Sequence, residues 1–357
     1  MIFDRNCGDL MTERVRFGMI GTSVGANFCA NGLALIANEG VAELVAVTSQ
    51  REERAKEFAS KWGVKYWYTD YKKMLKEAPI DAVIINTPHY QHYPMALEAL
   101  ENDKHVLVDK PIAISLKEAD EMIKKARERN LKLGVILQSR FDPTIRKVKD
   151  SVESGVFGRL IFGEAIVEWF RTQEYYDESS WRGRWATEGG GALINQAIHT
   201  IDLLVWIMGQ PEYLWAQMGT FTHKIEVEDL AAAIIRFKNG AIGVVQGSTA
   251  IYPGLPTRLE IHGTRGTAII EGEVLRRWSI IGEEEIVLEG TKEGLKTWAR
   301  PELAPATNHA SLIRDFAKAI IENREPTVNG VEGRKVLEVI MAIYESARSN
   351  NVVKFPL

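Results

Sequence analysis

The sequence predicts an α/β protein of two domains, an N-terminal one built on a parallel sheet and a C-terminal one built on a large, mainly antiparallel sheet. Three observations carry this. The chain has 357 residues, more than one hydrophobic core usually organises. Up to residue 137, short apolar runs alternate with helical periodicity, the pattern of strands joined by crossover helices. Beyond that point the runs become half-buried alternations joined by short turns such as Lys238-Asn239-Gly240-Ala241. The domains are therefore drawn as 13–137 and 138–357.

The first strand, Val15 to Ile20, leads into Gly21-Thr22-Ser23-Val24-Gly25-Ala26 and a helix running towards Asn38. Strand, glycine turn and helix in that order let backbone N–H groups at a helix N-terminus approach a pyrophosphate. The fingerprint is degenerate: Ser23 stands at its second glycine and Ala26 at its third, although the Ser23 hydroxyl can itself donate to phosphate. Gly21, Thr22, Ser23 and Val24 are the first cofactor-binding candidates. The second strand, Ala42 to Thr48, should end beside the adenosine ribose, where an NAD site usually places a carboxylate. Ser49 and Arg51 stand there instead, with Arg54 one helical turn on. These donors suit a 2′-phosphate, so the cofactor reading leans to NADP over NAD. The alternative makes Arg51 and Arg54 solvated helix residues paired with Glu52, Glu53 and Glu57.

Alternation continues with a helix from Glu52 to Trp62, a short strand from Lys65 to Tyr68, a helix from Tyr71 to Lys76 and a buried strand from Asp81 to Ile85. Asn86, Thr87 and Pro88 close that strand at its carboxyl end and should line the cofactor crevice, with His92 one turn into the next helix. The run from His105 to Val108 then meets Asp109-Lys110-Pro111. Pro111 lacks an N–H, so the strand stops and Lys110 is delivered at its tip, where open α/β sheets bind ligands. The plain alternative is a solvated lysine in a strand-to-helix turn. Ser115 and Glu118 form a capping box for a helix to Asn130. Leu133 to Leu137 makes the sixth strand; Asp109 and Gln138, at two strand ends, join the cofactor set.

The second domain should open with a helix from Thr144 to Ser154 and a strand from Leu160 to Trp169. Further strands are expected at Leu214 to His223, Leu230 to Phe237, Ile242 to Thr249, Arg258 to His262, Ala268 to Glu271, Leu275 to Ile281 and Glu285 to Leu288. Helices from Asn308 to Asn323 and from Glu332 to Ser349 finish the chain. Between its first two strands lie Trp181-Arg182-Gly183-Arg184-Trp185 and Gly189-Gly190-Gly191. From Ala192 apolar residues recur at helical spacing, and Asn195, His199 and Asp202 fall on one polar stripe. A lone helical histidine is commonly a packed core residue. Here it follows a triple glycine that weakens a helix and is best explained by close approach of another group to the backbone, which favours a catalytic His199.

A formal net charge of -4, with no long basic run, excludes an electrostatic case for nucleic acid. No apolar run approaches the roughly 20 residues of a membrane span, so no membrane partner is expected. Only Cys7 and Cys29 are present and the start lacks a secretory apolar core, which predicts a cytoplasmic protein. The cysteines and scattered histidines lack ligand spacing, so no metal site is expected. Residues 1–12 read as a loose tail, or as coding upstream of an alternative start at Met11.

Taken together, Gly21 to Ala26, Asp109-Lys110-Pro111 and the stretch from Gly189 to Asp202 resemble the glucose-fructose oxidoreductase and inositol dehydrogenase family, over Val15 to Pro356. The resemblance implies an N-terminal Rossmann domain, a C-terminal α/β domain on an open sheet, NAD(H) or NADP(H), and a sugar or cyclitol substrate. It also implies a homodimer or homotetramer formed through that open sheet. Two departures stand out: Asp109 replaces the usual glutamate before the lysine, and Asn195 replaces a helix aspartate. Asn195 cannot ionise and keeps a hydrogen-bonding role only.

The reading that follows is a dehydrogenase or reductase moving hydride between a nicotinamide and a secondary alcohol or ketone. His199 would act as base and Lys110 would stabilise the substrate oxygen, with Asn195 as third member. Tyr175, Trp181 and Arg182 would wall a sugar pocket, and Arg140, Arg171 and His309 are further candidates. Two alternatives use the same residues or fold: a glycosidase that oxidises its sugar transiently on bound NAD, and a redox-inert sensor of cofactor or sugar.

Overall fold

The computed structural model describes residues 14–272, 274–288 and 306–357, so the tail at residues 1–12 and Cys7 lie outside the described residues. The first sheet is formed by β1 (Val15–Ile20), β2 (Ala42–Thr48), β3 (Tyr66–Tyr68), β4 (Ala82–Ile85), β5 (His105–Asp109) and β6 (Leu133–Ile136). Its order is β3-β2-β1-β4-β5-β6, every pair parallel. The crossovers are α1 (Val24–Leu35), α2 (Glu52–Trp62), α3 (Tyr71–Glu77), α4 (His89–Glu101) and α5 (Leu116–Glu128). Strand order reverses between β1 and β4, and at such a switch point the two flanking loops part and leave a crevice at the strand tips. The four residues of β4 and of β6 are all buried, as helices on both faces require.

After α6 (Pro143–Glu153) comes β7 (Leu160–Glu168), then α7 (Gln173–Asp177), α8 (Trp185–Glu188) and α9 (Ile198–Met208). The strands β8 (Pro211–Gly219), β9 (Leu230–Phe237), β10 (Ile242–Ser248), β11 (Arg258–Gly263), β12 (Gly266–Glu271), β13 (Val274–Ile280) and β14 (Ile286–Val287) follow. Two helices, α10 (Thr307–Ile321) and α11 (Gly330–Ser349), and a last strand β15 (Val353–Lys354) end the chain. Among the described residues the second sheet runs β14-β13-β12-β11-β7-β10-β9-β8-β15, antiparallel except for β7 beside β10. Along β9, Ala231, Ala233, Ile235 and Phe237 are buried while Ile234 is exposed, so one face is covered and the other is not.

Four details differ from the sequence reading. Residues 220–223 do not extend β8; the Asp229 carboxylate accepts the N–H groups of Phe221, Thr222 and His223 and curls the chain into a turn. Strand β15 was not anticipated; it is two residues long and pairs with Leu214 and Tyr213. The helical run Trp185–Met208 does contain an 18-residue window with the mean hydropathy, 1.3, of a membrane span, yet 72% of that window is buried inside the protein, as in a core helix. Finally, α10 lies against α1 and the first sheet rather than the second: Phe316 meets Phe17, with ring centroids 6.3 Å apart, and a Cβ at Gly32 would lie 3.0 Å from the Ala310 backbone nitrogen of α10.

Arg140 ties the segment just after β6 to two helices of the second domain. It follows β6 and is 2% exposed, and its guanidinium donates to both Asp202 oxygens of α9 (2.8 and 2.6 Å) and to Glu332 of α11 (2.7 Å). A bidentate pair at this burial uses the planar fork of arginine fully. Arg140 was expected in the sugar pocket and that expectation is corrected: its donors are committed to carboxylates in the interior.

Candidate active site

Lys110 sits at the tip of β5, and the second domain provides its acceptors. Its Nζ donates to the backbone carbonyl of Asn195 at 2.5 Å and to Asn195 Oδ1 at 3.2 Å. An ammonium carries three donors, so one N–H is left for another acceptor. Burial lowers the Lys110 pKa, opposed by the charges of Asp109 and Glu188, while Arg182 lowers it further.

Asn195 lies in a wide π-helical turn, Ala192–Ala197, that precedes α9. Such turns shift the helical register and recur at functional sites. Here the shift breaks up the polar stripe. Asn195 turns to Lys110 and Glu188, Asp202 pairs with Arg140, and His199 Nδ1 has no partner.

The triple glycine is explained by what presses on it. A side chain at Gly190, whose φ is +158°, would collide with the Tyr344 hydroxyl, and one at Gly191 would collide with the Glu228 carbonyl. Glu228, 2% exposed, accepts the N–H groups of Gly191 (2.8 Å) and Leu193 (2.9 Å) and the Tyr344 hydroxyl (2.9 Å). Burial raises its pKa to about 7, against the lowering effect of these bonds.

On the first domain, Gly21 has φ +106°, and a Cβ there would lie 2.3 Å from the Asn86 carbonyl oxygen. Ser23 caps α1, accepting from the Ala26 N–H, and its hydroxyl donates to the Asn86 carbonyl. Val24 opens the helix and is exposed. A Cβ at Gly25 would lie 2.9 Å from Asp109 Oδ2, which in turn accepts from Asn86 Nδ2 at 3.1 Å. The glycine turn, the β4 tip and the β5 tip therefore meet around Asp109.

Among the described residues, seven buried side-chain polar atoms lack a hydrogen-bond partner. They are Asn86 Oδ1, Thr87 Oγ1, Gln138 Oε1, Trp169 Nε1, Arg182 Nε, His199 Nδ1 and His309 Nδ1. Buried polar atoms are almost always paired, so a cluster of orphans marks a place built for a partner of its own. Asn86, Thr87 and Gln138 belong to strand ends of the first domain, and His199 to α9. His309, from α10, stacks on Phe28 with ring centroids 5.2 Å apart. Burial lowers the His199 pKa well below its usual value, helped by the charges of Lys110 and His309, and lowers that of His309 to about 4 against Asp109. Both shifts favour the neutral imidazole, which can accept a hydrogen bond.

The side chains around Asn195 and Gln196 are aromatic and cationic. Arg182 lies over the Tyr175 ring at 4.2 Å, Trp181 packs on His89 at 4.7 Å between centroids, and the Tyr175 hydroxyl accepts from Gln196 Nε2 at 2.7 Å. Arg171 lies over Trp169 and Tyr175 and reaches Gln196. His92, expected at the cofactor, is wholly buried, with one ring nitrogen 2.7 Å from the Pro111 carbonyl and the other 2.9 Å from that of Thr87. That expectation is corrected: His92 is enclosed between two strand-end carbonyls, of which a neutral ring can donate to one. Pro88 caps α4 beside it. At the far end of the crevice Ser49 Oγ accepts the Arg51 N–H, and Thr22, Asn27, Arg54, Glu57, Phe58 and Lys61 line an open cavity of about 270 Å³.

Sequence reasoning missed Glu188, the last residue of α8. It is 1% exposed and accepts from Asn195 Nδ2 at 2.6 Å and the Gly183 N–H at 2.5 Å. Its position just before the triple glycine was the available signal.

Residues 15–137 match the model of the oxidoreductase family with an NAD-binding Rossmann fold, and residues 145–269 match the GFO/IDH/MocA C-terminal domain. The chain belongs to the GFO/IDH/MocA oxidoreductase family. Myo-inositol 2-dehydrogenase of Thermotoga maritima is 25% identical over 345 residues, covering 95% of this chain and 98% of that protein. Levoglucosan dehydrogenase of Pseudarthrobacter phenanthrenivorans is 24% identical, covering 87% of this chain and 89% of its own. The WlbA dehydrogenase of Bordetella pertussis, solved with NADH and UDP-GlcNAcA, is 29% identical with a TM-score of 0.85, covering 96% and 99% of the two chains. For this GFO/IDH/MocA member the first domain is thus an NAD-binding Rossmann domain, and the glycine turn, strand tips and orphaned polar atoms fit a dinucleotide cofactor.

Because Asn195 Nδ2 donates to Glu188, an Asn195→Asp variant would bring two carboxylates into contact. Such a pair keeps one proton to higher pH than the unfolded chain does, so the folded state loses stability as pH rises. Thermal unfolding followed from about pH 6 to about pH 8 should show a steeper loss for Asn195→Asp than for the wild type. Parallel pH dependences would contradict the contact.

Proposed function

We propose that this oxidoreductase moves hydride between NAD(H) and a secondary alcohol or ketone carbon of a sugar, cyclitol or sugar derivative. The observation that carries this reading is Lys110, with one donor to spare, near enough to His199 for its charge to act on the ring, whose Nδ1 has no partner. Gly21 to Val24 would hold the pyrophosphate, and Asn86, Thr87 and Gln138 the nicotinamide end. The bound nicotinamide supplies the hydride acceptor in oxidation and the donor in reduction.

The chain's own residues handle the oxygen. Lys110 donates its free N–H to the substrate hydroxyl oxygen and stabilises negative charge as it develops there. His199, neutral because of burial, takes the hydroxyl proton as the C–H bond breaks. The carbon then carries a carbonyl, and reduction runs the same proton and hydride back. Asn195 keeps Lys110 in place, and Tyr175, Trp181 and Arg182 offer ring faces and forked donors to a polyol.

We further propose that NADP(H) binds at least as tightly as NAD(H), since β2 ends without a carboxylate and Ser49, Arg51 and Arg54 stand nearby. The exposed face of the second sheet, with Tyr213, Trp215, Ile234 and Ile242, would be the contact of a homodimer or homotetramer. A monomeric mass by light scattering would reject that assembly.

Oxidation of myo-inositol, levoglucosan and UDP-GlcNAcA, followed by absorbance of the reduced cofactor, is the direct test. Net NADH formation is expected, and Lys110→Ala or His199→Ala should each lose more than about 10²-fold in turnover while still binding NADH. Near wild-type turnover in either variant would overturn the assignment. For the cofactor, Arg51→Ala should weaken NADP(H) and leave NAD(H) unchanged; a clear NAD(H) preference untouched by this variant would refute the proposal.

A further inference from the structure

We propose that Glu188 is a positioning residue of the hydride-transfer site, acting through the Asn195 amide to set the charge and placement of Lys110. This rests on the reading of Lys110 given above. The geometry is a relay. Glu188 Oε1 accepts from Asn195 Nδ2 at 2.6 Å, and on the far side of the same amide Asn195 Oδ1 accepts from Lys110 Nζ at 3.2 Å. Glu188 is held in place by the Gly183 N–H on its other oxygen, and Gly189, with φ +84°, turns the chain away directly after it.

An ionised carboxylate only accepts hydrogen bonds. The Asn195 amide must then turn its NH2 to Glu188 and its oxygen to Lys110, which keeps two acceptors on the ammonium. A protonated Glu188 can instead donate to the amide oxygen. That allows the flipped amide, whose NH2 would face the ammonium and repel it. The charge on Glu188 therefore decides whether Lys110 is presented as a held cation.

The surroundings place this switch in the working range. Burial raises the Glu188 pKa to about 7, opposed by the bonds from Gly183 and Asn195; the Glu228 charge raises it further and Arg182 lowers it. The other titratable groups near it are Lys110, Tyr175, Tyr176 and Tyr344, together with His89, whose Nδ1 lies 2.8 Å from the Glu188 carbonyl. Lys110 is the cation joined to its carboxylate through the Asn195 amide, whose nitrogen also donates to the Tyr175 hydroxyl at 3.5 Å.

The test needs no substrate. Acetic anhydride reacts with the unprotonated amine, so acetylation of Lys110, quantified by mass spectrometry against an exposed lysine such as Lys73, reports its protonation from about pH 5.5 to about pH 9.5. In the wild type, ionisation of Glu188 raises the Lys110 pKa as pH rises, so the logarithm of the rate should flatten around neutrality before climbing again. Glu188→Gln should give an unbroken rise and a several-fold faster reaction above about pH 8, and Glu188→Asp should restore part of the break. NADH titration by fluorescence checks that each variant is folded. A break retained unchanged in folded Glu188→Gln overturns the proposal. If Glu188→Gln does not bind NADH, Asn195→Ala decides: loss of the break supports the relay, and an intact break overturns it. An unbroken wild-type curve in an enzyme that still requires Lys110 for turnover sinks this inference and leaves the function standing.

Discussion

A lysine at the end of a buried parallel strand can stay charged in a crevice only if acceptors are brought to it. Here they come from the other domain: the carbonyl and side-chain oxygen of Asn195 take two of the three Lys110 donors. Everything around this contact serves to hold the two sides in register. Arg140 joins the end of β6 to α9 and α11 through buried carboxylates, and α10 returns to pack on α1. Removing one partner of such a buried ion pair costs about 3–5 kcal/mol, because the other charge is left buried and uncompensated.

The wide turn at Ala192–Ala197 is the second constraint. It needs donors satisfied at its start, and Glu228 accepts two of them while its burial is made tolerable by Tyr344. Of the glycines ahead of it, Gly191 leaves room for the Glu228 backbone carbonyl and Gly190 for the Tyr344 phenol. The result is a backbone carbonyl at Asn195 open to Lys110, and a histidine at 199 with a free nitrogen in the same space.

Local pattern was enough to read the alternating strands and helices, the degenerate glycine turn, and Lys110 at a strand tip, because each follows from neighbours a few residues apart. The strand bounds of β1, β2 and β9 agree with those read from apolar runs. Long-range pairing was not readable. Nothing near Arg140 announces Asp202 and Glu332, His92 gives no sign of being enclosed between two backbone carbonyls, and a helical stripe drawn at regular spacing cannot foresee a π turn. Glu188 escaped for the same reason: its partner is seven residues away along the chain but reached across a sharp glycine turn.

In the function proposed above, both domains build one cofactor-and-substrate site around the strand tips. Hydrogen exchange followed by mass spectrometry, with and without saturating NADH, tests it most directly. Slowed exchange is expected at Gly21 to Ala26, at Asn86 to His89 and at Asp109 and Lys110, and also across Ala192 to His199 of the second domain. Protection confined to the first domain, with Ala192 to His199 unchanged, would contradict a jointly built site.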